Sequence, residues 1–319
     1  MTLDVVALGE LLVDFTALGT DQNGYPTMAG HPGGAPSNFL AALSRYGAGT
    51  ALLGKVGADH FGSLLLETLR QAGVDTSGVL TDPSVFTTLA FVTLDGQGNR
   101  SFSFARKPGA DTCLRLEELD LSLIDQARVF HFGSLSLTDE PARTATREAV
   151  AYARQRGKLI TCDPNLRRPL WTSLDEARKQ ILWGISQADV VKINGEEIRF
   201  LWNCGPEEGA DRLLEEYGVQ LTMVTLGEKG CYLKNASASC RMYCPPVCPV
   251  DSTGAGDIFG GAALSRLLTL GKAPTDLTEQ ELEEVARFAS TAASLSTERS
   301  GGISSIPDLE NVLARMHTF

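Results

Sequence analysis

The run Asp251-Ser252-Thr253-Gly254-Ala255-Gly256-Asp257, followed by Ile258-Phe259-Gly260-Gly261-Ala262-Ala263-Leu264, holds the strongest chemical signal in the chain. Small and apolar residues from Ala255 to Leu268 favour a buried helix, so Gly254, Ala255 and Gly256 fall at its N-terminus. Unpaired amides and the positive end of the helix dipole make that terminus an anion site, and glycines let phosphate oxygens approach the backbone. A carboxylate beside bound phosphates adds repulsion. Asp257 therefore makes sense if it accepts a proton from a hydroxyl that attacks the phosphate. An isolated first-turn aspartate would more simply stabilise the helix. A second motif, Gly33-Gly34-Ala35-Pro36-Ser37-Asn38, opens another helix: its glycines permit a tight backbone, Pro36 suits the first turn, and Asn38 offers a donor and an acceptor to a polyol. With the acidic Asp14 after the first strand, it supplies fixed polar contacts of the kind a sugar needs.

Other spacings carry less. Gly49-Thr50-Ala51-Leu52-Leu53-Gly54-Lys55-Val56 has the glycine and lysine spacing of a phosphate loop, but Val56 stands where a hydroxyl must hold magnesium, and its interior reads as a buried strand. Gly9 is followed by Glu10-Leu11-Leu12 with no further glycine, which argues against a dinucleotide fold. Cys240, Cys244 and Cys248 recur at regular spacing, yet no further Cys or His lies nearby to complete a tetrahedral set, so free thiols are expected.

These motifs must be positioned by something, and the hydrophobic pattern says what. Short apolar runs at 5–8, 51–53, 129–132, 159–162, 190–193 and 221–225 alternate with amphipathic stretches at 35–46, 61–72, 140–156, 174–187 and 210–217. Strands alternating with helices predict a largely parallel sheet covered on both faces, as one doubly wound domain over 1–319. Two segments break the rhythm. Residues 11–28 and 85–104 are β-rich and interrupted by turns, the second reading as a hairpin around Asp95-Gly96-Gln97-Gly98-Asn99. They are either a lid over a site or an edge ribbon.

Lys and Arg total 28 against 39 Asp and Glu, a net charge of −11, which makes nucleic acid a poor partner. With 43% hydrophobic and 21% charged residues the composition is that of a globular chain. No apolar run approaches the roughly 20 residues of a membrane span. The N-terminus also lacks the basic flank of a secretory signal, so no membrane association is expected and the cytoplasm is the expected location.

The two motifs resemble the signatures of the ribokinase (pfkB) family of carbohydrate kinases. The resemblance extends to Asp163-Pro164-Asn165-Leu166-Arg167, Asn194-Gly195-Glu196-Glu197 and Thr225-Leu226-Gly227-Glu228-Lys229-Gly230. It implies a three-layer α/β/α sandwich with a small β-sheet lid, here about 11–30 and 85–110. It also implies Asp257 as catalytic base, the amides of Gly254, Ala255 and Gly256 as anion hole, and Asp14, Gly33, Gly34 and Asn38 on the sugar. Asn194 and Glu197 would organise magnesium (Mg2+) and phosphate largely through water, and Thr225, Gly227, Gly230 and Ser290 would line the ATP site. Asp251, Thr253, Ser296, Arg299, Gly301 and Ser305 match a potassium (K+) site of mostly backbone carbonyls and hydroxyls.

Details resemble the bacterial fructokinase branch: Phe104-Ala105-Arg106-Lys107-Pro108-Gly109-Ala110-Asp111, Phe132-Gly133-Ser134-Leu135-Ser136-Leu137 and the Leu170-Trp171 extension. This implies that Arg106 reaches the substrate from the lid and that Arg167 contacts the substrate or phosphate side. The expected activity is transfer of the ATP γ-phosphate to D-fructose, giving fructose 6-phosphate. The alternatives are a 2-keto-3-deoxygluconate kinase or a catalytically silent sugar- or nucleotide-binding member. Small-molecule sugar and ATP are the expected partners, with a homodimer through the β-lid as a further expectation.

Overall fold

A computed structural model describes residues 3–94 and 100–316, the side chains of 94 and 100–102 excepted. Among these residues the main sheet has ten strands. Across the sheet they run Ser239–Met242, Cys231–Asn235, Leu221–Thr225, Val190–Asn194, Leu159–Asp163, Val129–Gly133, Val5–Leu8, Thr50–Gly57 and Val74–Asp75, with Val79–Asp82 also paired to Thr50–Gly57. The pairings are parallel except for the two at the Ser239–Met242 edge. Each interior strand is apolar on both sides: Val5 and Ala7 enter one hydrophobic cluster, Val6 and Leu8 the other. Helices Ala35–Arg45, His60–Gln71, Ala255–Leu270, Glu279–Ser296 and Leu309–Met316 bury their apolar stripes in the first cluster. Helices Leu121–Gln126, Ala142–Gln155, Leu174–Ser186, Gly195–Trp202 and Pro206–Tyr217 fill the second. The result is the three-layer α/β/α arrangement expected from the pattern.

The small sheet runs Pro26–Gly33, Leu12–Thr20, Leu89–Leu94 and Arg100–Ala105. It grows directly out of Val5–Leu8 through Gly9, Glu10 and Leu11. Phe15 stacks on Phe91 at 5.4 Å and meets Phe61 edge-on at 5.7 Å, so its inner face rests on helix His60–Gln71, while Leu18 and Tyr25 face solvent. The glycine turn read at 95–99 lies outside the described residues, although the strands flanking it pair antiparallel.

Some elements gave weak signals. The edge strands Cys231–Asn235 and Ser239–Met242 are short and half polar. Helix Glu279–Ser296 buries Leu282, Val285, Ala286 and Ala289 at helical spacing but also buries Ser290, Ser294 and Ser296, which blurs its stripe. Helix Pro206–Tyr217 begins four residues before the amphipathic pattern because Pro206 occupies its first turn.

Candidate active site

Ligands in open α/β sheets bind beyond the carboxyl ends of the strands, and three of those ends carry motif residues here. Leu159–Asp163 delivers Asp163, Val190–Asn194 delivers Asn194, and Leu221–Thr225 delivers Thr225. The register sets Asn194 opposite Thr225. Helix Ala255–Leu270 points its N-terminus at this edge. Gly254 sits at its N-cap with φ 77°, a left-handed conformation suited to glycine, and no side chain caps the terminus.

Asp257 lies in the first turn and is buried. Its Oδ2 accepts from Asn38 Nδ2 at 2.9 Å and its Oδ1 from Asn165 Nδ2 at 3.3 Å. Burial raises its pKa to about 6; Asp163 adds to the rise, while Lys192, the Asn38 bond and Arg167 oppose it. A carboxyl group tuned toward neutral pH is suited to general-base work. Asp14 is similarly raised to about 6 by burial, against the pull of Arg167, and feels the charges of Asp257 and Asp251. The structure thus gathers Asp14, Asn38, Arg167 and Asp257 around one point. Gly33 is closed over by the Asp14 carboxylate, and a Cβ on Gly34 would lie 2.5 Å from the Glu10 carbonyl oxygen, so neither position has room for a side chain. A Cβ on Gly254 would come within 2.9 Å of Gly302 Cα and 3.2 Å of Asn38 Nδ2, which sets the anion-hole turn against the sugar motif.

Asn194 caps helix Gly195–Trp202: its Oδ1 accepts from the amides of Glu196 at 3.0 Å and Glu197 at 2.9 Å. The buried Glu197 carboxylate accepts from Asn194 N at 2.9 Å and from Leu166 N at 2.7 Å, tying the Asp163–Arg167 loop to this helix. Thr225 ends its strand, and Gly227 (φ 61°) and Gly230 (φ 91°) bracket the tight turn that follows. Ser290 stands apart: buried on helix Glu279–Ser296, its hydroxyl meets Cys231 Sγ at 3.4 Å in the core.

In the loop expected to hold potassium, Asp251 Oδ1 accepts from Thr253 N at 2.9 Å and Thr253 Oγ1 at 2.7 Å, and its Oδ2 from Gly301 N at 3.1 Å. Arg299 N donates to Ser296 O at 3.2 Å, and the Ser296 and Ser305 hydroxyls donate to Ala293 O and Gly302 O, each at 2.8 Å. The lid-root Arg106 is buried and well held. Its Nε donates to Asp111 at 2.8 Å, Nη1 to Thr138 at 2.8 Å and Nη2 to Leu135 O at 2.9 Å. Among the three spaced cysteines, Cys240 is buried, Cys244 Sγ donates to Gly227 O at 3.5 Å and Cys248 is exposed.

One participant, Lys192, carries no motif of its own. Lys192 is buried mid-strand and donates to Asp163 Oδ2 at 2.8 Å, and a Cβ on Gly256 would sit 3.0 Å from its ammonium. Burial opposes its charge, but Asp163, Glu197 and Asp257 outweigh burial and its pKa rises. The other oxygen of Asp163 is buried with no hydrogen-bond partner. A lysine inside the apolar run Val190-Val191-Lys192-Ile193 was the available signal.

An open α/β/α sheet places an uncapped glycine-led helix and a buried, tuned carboxylate at one edge. Residues 2–309 match the pfkB family carbohydrate kinases, and the chain belongs to that family. Fructokinase-1 of Zea mays is 42% identical over 315 residues, covering 97% of this chain and 96% of that protein. Fructokinase-1 of Oryza sativa subsp. japonica is 41% identical, covering 98% of each. The ATP-bound fructokinase of Xylella fastidiosa superposes with a TM-score of 0.90 at 30% identity, covering 100% of this chain and 99% of that one. The fructokinase of Vibrio cholerae O395, bound to fructose, ADP and calcium, gives 0.88 at 30% identity, covering 99% and 100%.

Proposed function

We propose that this protein transfers the γ-phosphate of ATP to the 6-hydroxyl of D-fructose. The observation that carries the reading is the bond from Asn38, in the sugar motif, to Asp257 at the head of the anion-binding helix. It joins the acceptor side and the phosphate side of one reaction. The curated relatives and solved structures named as fructokinases supply the sugar.

In the proposed reaction Asp14, Asn38 and the glycine pair Gly33–Gly34 hold the sugar so that its hydroxyl faces Asp257. The carboxylate takes the hydroxyl proton as the oxygen attacks the γ-phosphorus in line, and the bond from phosphorus to ADP breaks. Negative charge growing on the transferred group meets the amides of Gly254, Ala255 and Gly256, with Lys192 and Arg167 as nearby cations. Arg106 supports the sugar side from the lid root through Asp111, Thr138 and Leu135, and Thr225, Gly227 and Gly230 form the nucleotide side.

Among the described residues no cluster of three acidic, imidazole or thiolate ligands forms a metal cage, which suits magnesium held largely through water. Asp163 keeps an unpartnered oxygen, whereas both Glu197 oxygens and Asn194 Oδ1 already accept amides, so these two would reach the ion through water. When bound, magnesium neutralises phosphate charge. The loop of Asp251, Thr253, Ser296, Arg299, Gly301 and Ser305 is the proposed potassium site. The exposed face of the small sheet around Leu18 and Tyr25 is the proposed contact between two copies, in a cytoplasmic enzyme.

The test is a coupled ADP-release assay over fructose, ribose, adenosine and 2-keto-3-deoxygluconate at saturating magnesium-ATP. Highest kcat/KM for fructose is expected. Preference for the keto-deoxy acid would overturn the acceptor, and binding without turnover would overturn the enzyme reading.

A further inference from the structure

Glu10 occupies the junction where strand Val5–Leu8 leaves the main sheet and becomes the small-sheet strand Leu12–Thr20. It is 3% exposed, a costly place for a carboxylate that belongs to neither motif. Its surroundings explain it. Helix Ala35–Arg45 has glycine at its N-cap and so no cap of its own; Glu10 Oε1 supplies one from another element by accepting Ala35 N at 2.8 Å. The Glu10 backbone carbonyl accepts Ser37 Oγ at 3.3 Å and fills the space a Gly34 side chain would need. Arg106 and Asp111, at the root of the small sheet's last strand, lie within electrostatic reach of the carboxylate. Arg106 is in turn fixed to Asp111, Thr138 and Leu135 O.

We propose that Glu10 is a positioning residue that locks the sugar-binding start of helix Ala35–Arg45 to the root of the small sheet. Asn38 sits one helical turn beyond the amide that Glu10 caps, and Asp14 sits four residues beyond Glu10, in the strand Leu12–Thr20 that the junction leads into. One side chain therefore sets the spacing between the two polar groups proposed to grip the sugar. The nucleotide turn at Gly227–Gly230 hangs from Leu221–Thr225, three strands across the sheet from Val129–Gly133 and further from Val5–Leu8. A role in spacing the sugar groups should thus be felt by the acceptor and not by the donor.

The inference rests on the proposed sugar site, and the experiment separates the two. Glu10→Gln keeps the volume and an oxygen able to accept Ala35 N, but removes the charge that faces Arg106. Glu10→Ala removes the cap as well. Both are compared with wild type at pH 8, above the value of about 7 to which burial raises the Glu10 pKa. Kinetics, calorimetric titrations with fructose and with ATP, and thermal melts are recorded. The expected result for Glu10→Gln is a rise of about tenfold in both KM and Kd for fructose. ATP binding and kcat should stay within about twofold, and the melt at pH 8 should be at or above wild type because the variant buries no charge. For Glu10→Ala a larger rise in the fructose constants is expected. Unchanged fructose constants in Glu10→Ala, which loses the Ala35 cap, or equal losses for fructose and ATP, would overturn the positioning role. A wild-type enzyme that ignores fructose but uses another panel sugar would overturn the acceptor assignment alone, and the same variants are then read with that sugar.

Discussion

Two buried polar clusters lie at the sheet's carboxyl edge, and they are built to opposite rules. At the root of the small sheet, Asp59 accepts from Thr87 N at 2.8 Å and Thr87 Oγ1 at 2.9 Å, Thr88 Oγ1 donates to Asp111 at 2.5 Å, and Arg106 is bonded on all three nitrogens. Around Asp257, by contrast, an oxygen of Asn38 and one of Asp163 are buried without partners, and two carboxyl groups are pushed to about 6. A satisfied cluster rigidifies; an unsatisfied one stores capacity for a ligand. The contrast assigns structure to the first and chemistry to the second, and substitutions in each should fail in different ways.

The largest expected effect falls on the second cluster. Asp257→Asn removes the proton acceptor while retaining size, so turnover should fall by roughly 10²–10⁴-fold with ATP binding intact. Stability should move the other way. The folded pKa of Asp257, about 6, lies above its ordinary 3.8, so its favourable contribution is complete below about pH 4 and lost as pH rises through 6. At pH 8 the Asn variant should therefore melt as high as wild type or higher, by up to ~3 kcal/mol of stability, with the difference vanishing near pH 4. Near-wild-type turnover in a folded variant would remove Asp257 from the base role.

Breaking a buried pair should cost stability in either cluster but turnover in only one. Lys192→Met strands the Asp163 carboxylate, and Arg106→Ala strands Asp111; each is expected to cost about 3–5 kcal/mol. Lys192→Met should also lower kcat, because its ammonium stands beside the anion-hole Gly256. Arg106→Ala should instead raise the fructose KM more than the ATP KM. Denaturant melts with steady-state kinetics on both variants make the comparison. Equal kcat losses in the two would erase the distinction.

The pattern of local residues made one half of this picture legible and concealed the other. Apolar runs announced the interior strands, and glycine spacing announced the helix start that carries Asp257, because both signals are contained within a few neighbouring residues. The Asn38 to Asp257 bond spans 219 residues, and no spacing rule reports a partner at that distance. Lys192 and Glu10 were hidden for a related reason: each is a single charged residue in or beside an apolar run, and its meaning depends on elements from elsewhere in the chain. Arg106 shows the reverse. The motif context placed it at the lid end, but only the fold reveals how many of its donors are already engaged.

The pH profile sharpens the comparison next. Because the base must be ionised, log kcat should rise with unit slope up to about pH 6 and level off above it. Asp257→Asn should flatten that limb in its residual activity, whereas Arg106→Ala should leave its position unchanged. A limb that persists in Asp257→Asn would reassign it to another group, with Asp14 the first candidate.

The smallest expected effect concerns potassium. The proposed cation loop follows the structural rule more than the chemical one: Asp251 already braces Thr253 with one oxygen and Gly301 with the other. Thr253 immediately precedes the anion-hole Gly254, and Gly302 packs against it, so a bound cation would tighten a turn that is largely formed without it. Replacing potassium by choline at matched ionic strength should therefore lower kcat only a few-fold and leave the fructose KM in place. Asp251→Asn, which weakens the brace itself, should lower kcat more than potassium removal does and should no longer respond to the ion. If choline abolished turnover while Asp251→Asn did not, the loop would depend on the ion for its shape and would belong with the unsatisfied cluster around Asp257.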